Sequence, residues 1–534
     1  MPNQNTPDPE PKVANIITPA VLLDLVTNPD KYSPDLEEWT AICTVALAYL
    51  TYEQFQTNLL TSGKFEVLQQ AFYSHVRLET FGADPDVIQQ LGQVFNAFVT
   101  IFADISALPA FTELYPLADS PPALQTLVSW LDKSNAPNLP TAACLCLGNL
   151  ARSDESSTAL VTKLGVHEKL AKILSNSFPP KPAPADPSST KKIPVRPPSP
   201  QLLHATLSFL KNLSIPASNK PIIGNLLLNP AQDGILPRLW TTTTAQPQVQ
   251  FAAVSLTRLL LVNCPANIRF VCARLPSSSS STTNKDEDTK PTTKPTNLQI
   301  LMDLAAHSDT EPTKIEVARA VASVSKALLH LENRKQDDQQ EEPILSSEDW
   351  PTGVAGFYTT HAPSMPRTLA TLLIQPKFPT VRSEALFALA LMSRSSDSAA
   401  AKVALQSLES VDACKALSKV ILGRDDAVNF DDEIGSSRVT ELADDGTERP
   451  AEEEEEQQLP DLASLGLNPQ GQQQQQPGAK VDTSKMDREN ALVLVAEILR
   501  RFSGDESSLS SSRKKAFEEL LKKGGEVILE ERKQ

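Results

Sequence analysis

The chain has 534 residues, a formal net charge of −16, 43 prolines against 18 glycines, and only 5% aromatic residues. The negative charge disfavours non-specific binding to nucleic acid or anionic membrane and makes a basic partner the electrostatic complement. Few aromatics beside abundant Ala and Leu fit helix-on-helix packing better than a β-sandwich.

Residues 1–15 are polar and Pro-rich and are expected to be disordered, without the apolar core of a signal peptide. Helices are predicted from Ile16 to Leu131. There Cys43, Ala46, Leu47 and Leu50, then Leu91, Val94, Phe95 and Phe98, fall at i, i+3, i+4 and i+7. That spacing places four apolar side chains on one face of a 3.6-residue helix. The aromatics of this stretch (Phe95, Phe98, Phe102, Phe111, Tyr115) read as core packing, or alternatively as an apolar pocket or capping interface.

Thr141–Leu174 reads as a helix with Ala143, Cys146, Leu147 and Leu150 on one face, then a polar break. A second helix ends near Thr162, Gly165 makes a turn, and a third short helix follows. The same stripe recurs at Thr206, Phe209, Leu210 and Leu213, and at Ala252, Ser255, Leu256 and Leu259. Further copies are Val317, Ala320, Val321, Val324; Ala385, Ala388, Leu389, Met392; and Ala491, Leu494, Val495, Ile498. A unit of this kind cannot bury its apolar face alone, so copies must stack.

From Leu91 onward the stripes begin 52, 63, 46, 65, 68 and 106 residues apart. An armadillo-type unit takes ~40–47 residues. Insertions at 178–200 (Pro-rich), 276–296 (Ser/Thr/Lys-rich) and 333–347 (polar, acidic) absorb the excess, as does an acidic, Gln-rich linker at 424–485. The predicted fold is therefore all-α: an armadillo-type α-solenoid, a right-handed superhelix with disordered insertions, over residues 16–423. Residues 486–534 read as a terminal repeat or cap whose last helix is short, with Gly524–Gly525 a turn like those at Gly165 and Gly234.

No phosphate loop, dinucleotide fingerprint, nucleophile elbow or HExxH helix is present, and the six histidines stand singly. The six cysteines form no CxxC pair, and Cys144 and Cys146 cannot share a helical face, so buried reduced thiols are expected. No covalent chemistry, cofactor or metal is expected. No run of ~20 apolar residues exists, so no membrane span is expected, and the location is expected to be cytoplasmic.

Binding must then come from side chains off the stripes. Asn149 recurs as Asn212, six residues after its stripe begins, and a basic residue recurs nine after it as Arg152, Lys326, Arg394 and Arg500. With Glu316, Arg319, Arg382, Ser383 and Glu384 these form the candidate docking groove. The alternative roles are bridging a neighbouring repeat for the asparagines and simple solvation for the charges.

LGNLARSDE, FLKNLSIPASNKPIIG and SEALFALALMSR resemble the armadillo repeats of the small-GTPase GDP-dissociation stimulators. The resemblance runs from about Ala123 to Leu422 and is carried mostly by the NLSIPASNK run. It implies a groove that embraces a Rho- or Ras-type GTPase, loosens its nucleotide and Mg²⁺, and lets GDP leave. It also implies an acidic area for the GTPase's Lys/Arg-rich tail and an apolar pocket for its prenyl group. Where the family has groove asparagines this chain has Ala318 and Ser383, which leaves Glu316, Arg319 and Glu384 as contacts. The alternative is a non-catalytic armadillo adaptor that binds extended peptides. None of the four tryptophans precedes Asn149 or Asn212 by one turn, which weighs against import-type recognition of basic signals.

Overall fold

A computed structural model describes residues 17–28, 32, 34–77, 84–117, 119, 121–178, 197–232, 234–275, 294–334, 343–375, 378–423, 483–505 and 507–531. Among them the first eight helices are α1 (Thr18–Thr27), α2 (Leu36–Leu50), α3 (Glu53–Thr61), α4 (Phe65–Ser74), α5 (Pro85–Ala107), α6 (Pro109–Leu114), α7 (Pro122–Trp130) and α8 (Asn138–Leu150). The next eight are α9 (Asp154–Thr162), α10 (Val166–Ser175), α11 (Pro200–Leu213), α12 (Asn219–Leu228), α13 (Ile235–Thr242), α14 (Pro247–Leu261), α15 (Pro265–Cys272) and α16 (Asn297–His307). The last eight are α17 (Glu311–Arg334), α18 (Gly353–His361), α19 (Met365–Ile374), α20 (Pro379–Arg394), α21 (Ser398–Gln406), α22 (Val411–Leu422), α23 (Thr483–Phe502) and α24 (Ser511–Glu531). The β pairing among the described residues is an isolated bridge between Arg274 and Thr296. Helices α5, α6, α7, α11, α14, α15 and α20 each open on proline, whose missing N–H is one the first turn cannot use.

Thr141–Leu174 folds as expected. Ser153 caps α9 by accepting a bond from Ser156 N–H at 3.1 Å, and Gly165 takes φ 59°, the left-handed conformation that favours glycine, before α10. The stripe residues of α2, α8, α11, α17, α20 and α23 are all buried. Two expectations shift. Phe95 is only half-buried, and in α14 Ala252 is half-buried while Ala253, Leu256, Thr257 and Leu260 are wholly buried. The stripe of α14 thus lies one residue later than its spacing suggested. This helix is apolar nearly all round, so periodicity leaves its phase ambiguous.

The described residues group into two compact units, Met1–Thr371 with Asp397–Ala400, and Leu372–Ser396 with Ala401–Gln534. In the first, the stripe helices α2, α5, α8, α11, α14 and α17 each pack on the next. Other helices keep the same step: α1 packs on α4, α3 on α6, α4 on α7, α10 on α13, α12 on α15 and α13 on α16. In the second unit α20 packs on α23, and α22 packs on α23 and α24. The fold therefore repeats every three helices.

The early aromatics are core. Phe72 stacks on Phe98 at 4.8 Å, Phe102 meets Trp130 edge-on at 5.5 Å, and Phe65 meets Phe111 at 5.2 Å. All six cysteines are free and buried. Cys144 Sγ lies 3.7 Å from Thr206 Oγ1 on α11 while Cys146 Sγ donates to Phe102 O on α5 at 3.3 Å, so the two thiols do face opposite neighbours. Burial pushes both up to about 12, which leaves no thiolate at neutral pH.

Three boundary expectations are corrected. Asn333–Arg334 still belong to α17, Pro200 opens α11, and Gly524–Gly525 lie inside the uninterrupted α24. A Cβ on Gly524 would sit 2.4 Å from Ile421 Cγ2 and 2.7 Å from Leu492 Cδ2, so the glycine admits neighbouring side chains instead of making a turn. Both arms of the 276–296 insertion meet at a neck: Leu275 N–H donates to Pro295 O at 3.0 Å, and Arg274 Nη1 donates to Lys294 O at 3.0 Å. The expected disorder of 1–15, and of most of each insertion and of the linker, lies outside the described residues.

His361 closes the same region. Its Nδ1 donates to Phe357 O at 2.8 Å and its Nε2 accepts from Thr296 Oγ1 at 2.9 Å, so both nitrogens serve the neutral ring. Burial, with Arg274 nearby, pushes its pKa down from 6.5 to about 4. The unfolded chain then binds more protons than the folded one between those two values. Stability is expected to be full above pH ~6.5 and to fall by up to about 3 kcal/mol toward pH ~4. Urea unfolding at pH 7 and pH 4.5 checks this, with His361→Gln removing the part of the pH dependence due to this ring.

Candidate functional site

Each stripe helix ends in carbonyls with no partner in its own helix. Buried side chains from the next helix supply donors: Gln56 to Leu50 O at 2.8 Å, Ser157 to Ala151 O at 3.2 Å, Asn219 to Leu213 O at 2.8 Å and Asn267 to Leu260 O at 2.9 Å. This recurrent clamp was not read from the sequence. Its signal is a polar residue six or seven positions after the clamped carbonyl. Lys220 extends the clamp, its Nζ donating to Val262 O at 2.8 Å while its own carbonyl accepts from Asn267 Nδ2 at 2.8 Å. The NLSIPASNK run is therefore largely a building element of the repeat.

The asparagines of the candidate groove are also bonded within the fold. Asn149 Nδ2 donates to Ala103 O at 3.1 Å and Ser106 Oγ at 2.9 Å on α5, and its Oδ1 accepts from Arg152 Nη2 at 3.0 Å. Asn212 Nδ2 donates to Gly148 O on α8 at 3.0 Å. Both bridge to the preceding stripe helix. Arg152 remains exposed at the edge of this bridge.

Further along, the polar face becomes cationic. Glu316 is buried and receives Arg258 Nε at 2.6 Å and Arg319 Nη1 at 2.9 Å. Arg258 was not singled out from the sequence, although it stands six residues after Ala252, as Asn149 and Asn212 do after their stripes. Lys211 of α11 joins them: burial lowers its pKa, Glu316 opposes that effect, and Arg258 and Arg319 add to it. Lys326 is half-buried two turns farther along the same face of α17. Ala318, by contrast, is wholly buried, so the residue expected to replace a groove asparagine is a core residue.

The remaining candidates lie in the second unit. Arg382, Ser383 and Glu384 are half-buried on α20 and Arg394 is exposed. Arg382 and Ser383 act on the buried Asp487 of α23, whose carboxyl burial raises and these two neighbours lower. They support the contact between α20 and α23.

No protein-family model matches the chain, and no curated protein matches it. What remains is the charge and shape of the face itself. Residues 424–485 carry 16 acidic and 5 basic side chains, so most of the net charge of −16 belongs to that segment. Acidic Glu38 and Asp104 are exposed on α2 and α5, while Arg258 and Arg319 pair with the buried Glu316 on α14 and α17. Among the described residues no group of three or more His, Cys, Asp or Glu side chains could hold a metal ion, and no helix is long and apolar enough to cross a membrane.

Proposed function

We propose that the chain is an armadillo-type α-solenoid, a right-handed superhelix of three-helix repeats, that docks a small GTPase of the Rho/Ras class on the exposed face of its stripe helices and promotes GDP release in the cytoplasm. The observation that carries the reading is the succession α2, α5, α8, α11, α14 and α17, each stripe helix packed on the next. Exchange would be non-covalent, the protein binding the nucleotide-poor state of its partner more tightly than the GDP-bound state. The GTPase class comes from the resemblance at FLKNLSIPASNKPIIG, a run whose Asn212, Asn219 and Lys220 are bonded within the repeat. That bonding supports the repeat type more than the partner. It also favours a second reading, an adaptor that binds a protein segment without exchange.

The test is release of a fluorescent GDP analogue from purified Rho- and Ras-family GTPases with and without the full chain. Faster release, reduced at least about tenfold by Arg152→Glu, is expected for an exchange factor using this face. Binding with an unchanged release rate assigns the adaptor role. No binding to any GTPase overturns the partner class.

A further inference from the structure

We propose that the outward face of α1 and α2, which open the first unit, docks an amphipathic helix of a partner protein whose apolar side is flanked by Lys and Arg. Neither helix carries a residue of the candidate groove.

Stripe helices farther along are packed on two sides: α8 lies between α5 and α11, and α14 between α11 and α17. By contrast α1 packs on α4 and α2 on α5, each turning its buried face to the next repeat. The opposite face of each is apolar too. Along α1 and its cap, Ile17, Val21 and Leu25 recur every four residues and are 51%, 52% and 41% exposed. On α2, Ala41, Val45 and Ala48 fall at i, i+4 and i+7, across the helix from the buried Cys43, Ala46, Leu47 and Leu50, and all three are exposed. The two helices also pack on each other, so both exposed stripes look out of the same end. Single surface hydrophobics are ordinary, but two adjacent stripes with helical period form a helix-packing face.

Shape and charge specify the occupant. Ala41, Thr44 and Ala48 are small, so a helix can approach α2 to about 8–10 Å between axes. The described residues between 17 and 63 carry five acidic side chains, Asp24, Asp35, Glu37, Glu38 and Glu53, and no lysine or arginine. Asp24 stands three residues after Val21 on the α1 stripe, and Glu37 stands four before Ala41 on the α2 stripe. A second copy of the chain would bring the same acids against these, which like-charge repulsion opposes. Residues 1–16 hold four prolines, two acids and one lysine, which do not make a basic helix. A Lys/Arg-flanked helix both covers the apolar stripes and pairs the acids beside them.

Fluorescence anisotropy with the full-length protein tests this, using a labelled peptide as long as α2 with Leu and Ala on one helical face and Lys on its flanks. It should bind, and a scrambled peptide of the same composition should bind at least about tenfold more weakly. Val21→Ser with Val45→Ser should weaken binding at least about tenfold, while Leu114→Ser, at a 46% exposed site on α6, leaves it unchanged. Because Val21 and Val45 are exposed, that double variant should melt with the parent protein, so its loss of binding is not a loss of fold. Asp24→Asn with Glu37→Gln should weaken binding at least about fivefold and flatten its fall between about 0.05 and about 0.5 M salt. Equal binding of the scrambled peptide would overturn the proposal, since adhesion to the net negative charge would then suffice. Indifference to Val21→Ser with Val45→Ser would overturn it as well. So would a dimer in sedimentation that the same double variant disperses, because a second copy would then hold this face.

Discussion

Replacing Glu316 by alanine is expected to destabilise the protein by about 3 kcal/mol, at the lower end of the range for removing one partner of a buried ion pair. Glu316 neutralises Arg258 and Arg319, whose side chains are only 16% and 24% exposed, and it also faces Lys211. Without it Arg258 and Arg319 lose the carboxylate that both hold across α14 and α17. Their residual exposure lets water screen part of the repulsion, which keeps the expected loss below the upper end of that range. Denaturant unfolding should show a lower midpoint with an unchanged slope. Adding Lys211→Gln to Glu316→Ala should restore part of the loss. A double variant as unstable as Glu316→Ala would mean that Lys211 is not coupled to the cluster. The same result bears on function: a Glu316 variant that fails to bind a partner has lost part of its fold, so exposed Arg152 is the better probe of docking.

The second large effect is expected at Gly224. A Cβ there would lie 2.0 Å from Asn267 Oδ1, inside any allowed contact. Asn267 is wholly buried and its Nδ2 donates both to Lys220 O at 2.8 Å and to Leu260 O at 2.9 Å. Gly224→Ala must displace that amide and take its hydrogen bond from the Leu260 carbonyl at the end of α14, at a cost of about 2–4 kcal/mol. Asn267→Ala should cost a similar amount by removing the same bonds. The two changes together should be little worse than either alone, since they act on one interaction. Additive losses, measured by thermal or denaturant unfolding, would show that Gly224 is needed for a reason other than room for Asn267.

Much of the helical framework was legible in the residues. Ala143, Cys146, Leu147 and Leu150 lie on one buried face because burial of a helix depends on its own 3.6-residue period. Gly165 marked a turn that its positive φ bears out. The same reasoning misplaced α14 by one residue, since a helix buried on several sides has no single apolar face to report. It also misread Gly524–Gly525, because whether glycine ends a helix or admits a neighbour depends on what packs there, here Ile421 and Leu492.

The candidate site was less legible, for a related reason. Local spacing placed Asn149, Asn212 and Glu316 off the stripes, and all three are. It could not show that the carbonyls of Ala103 and Gly148, or the guanidinium of Arg258, would lie within hydrogen-bonding reach. Those partners are 46, 64 and 58 residues away in sequence. The sequence by itself therefore determined an all-helical chain with an apolar seam on each recurring helix, because side-chain periodicity is a local property. Which polar side chains are spent joining helices was decided only by the tertiary structure. That choice depends on where a neighbouring helix exposes its carbonyls and charges, and packing between distant segments sets it.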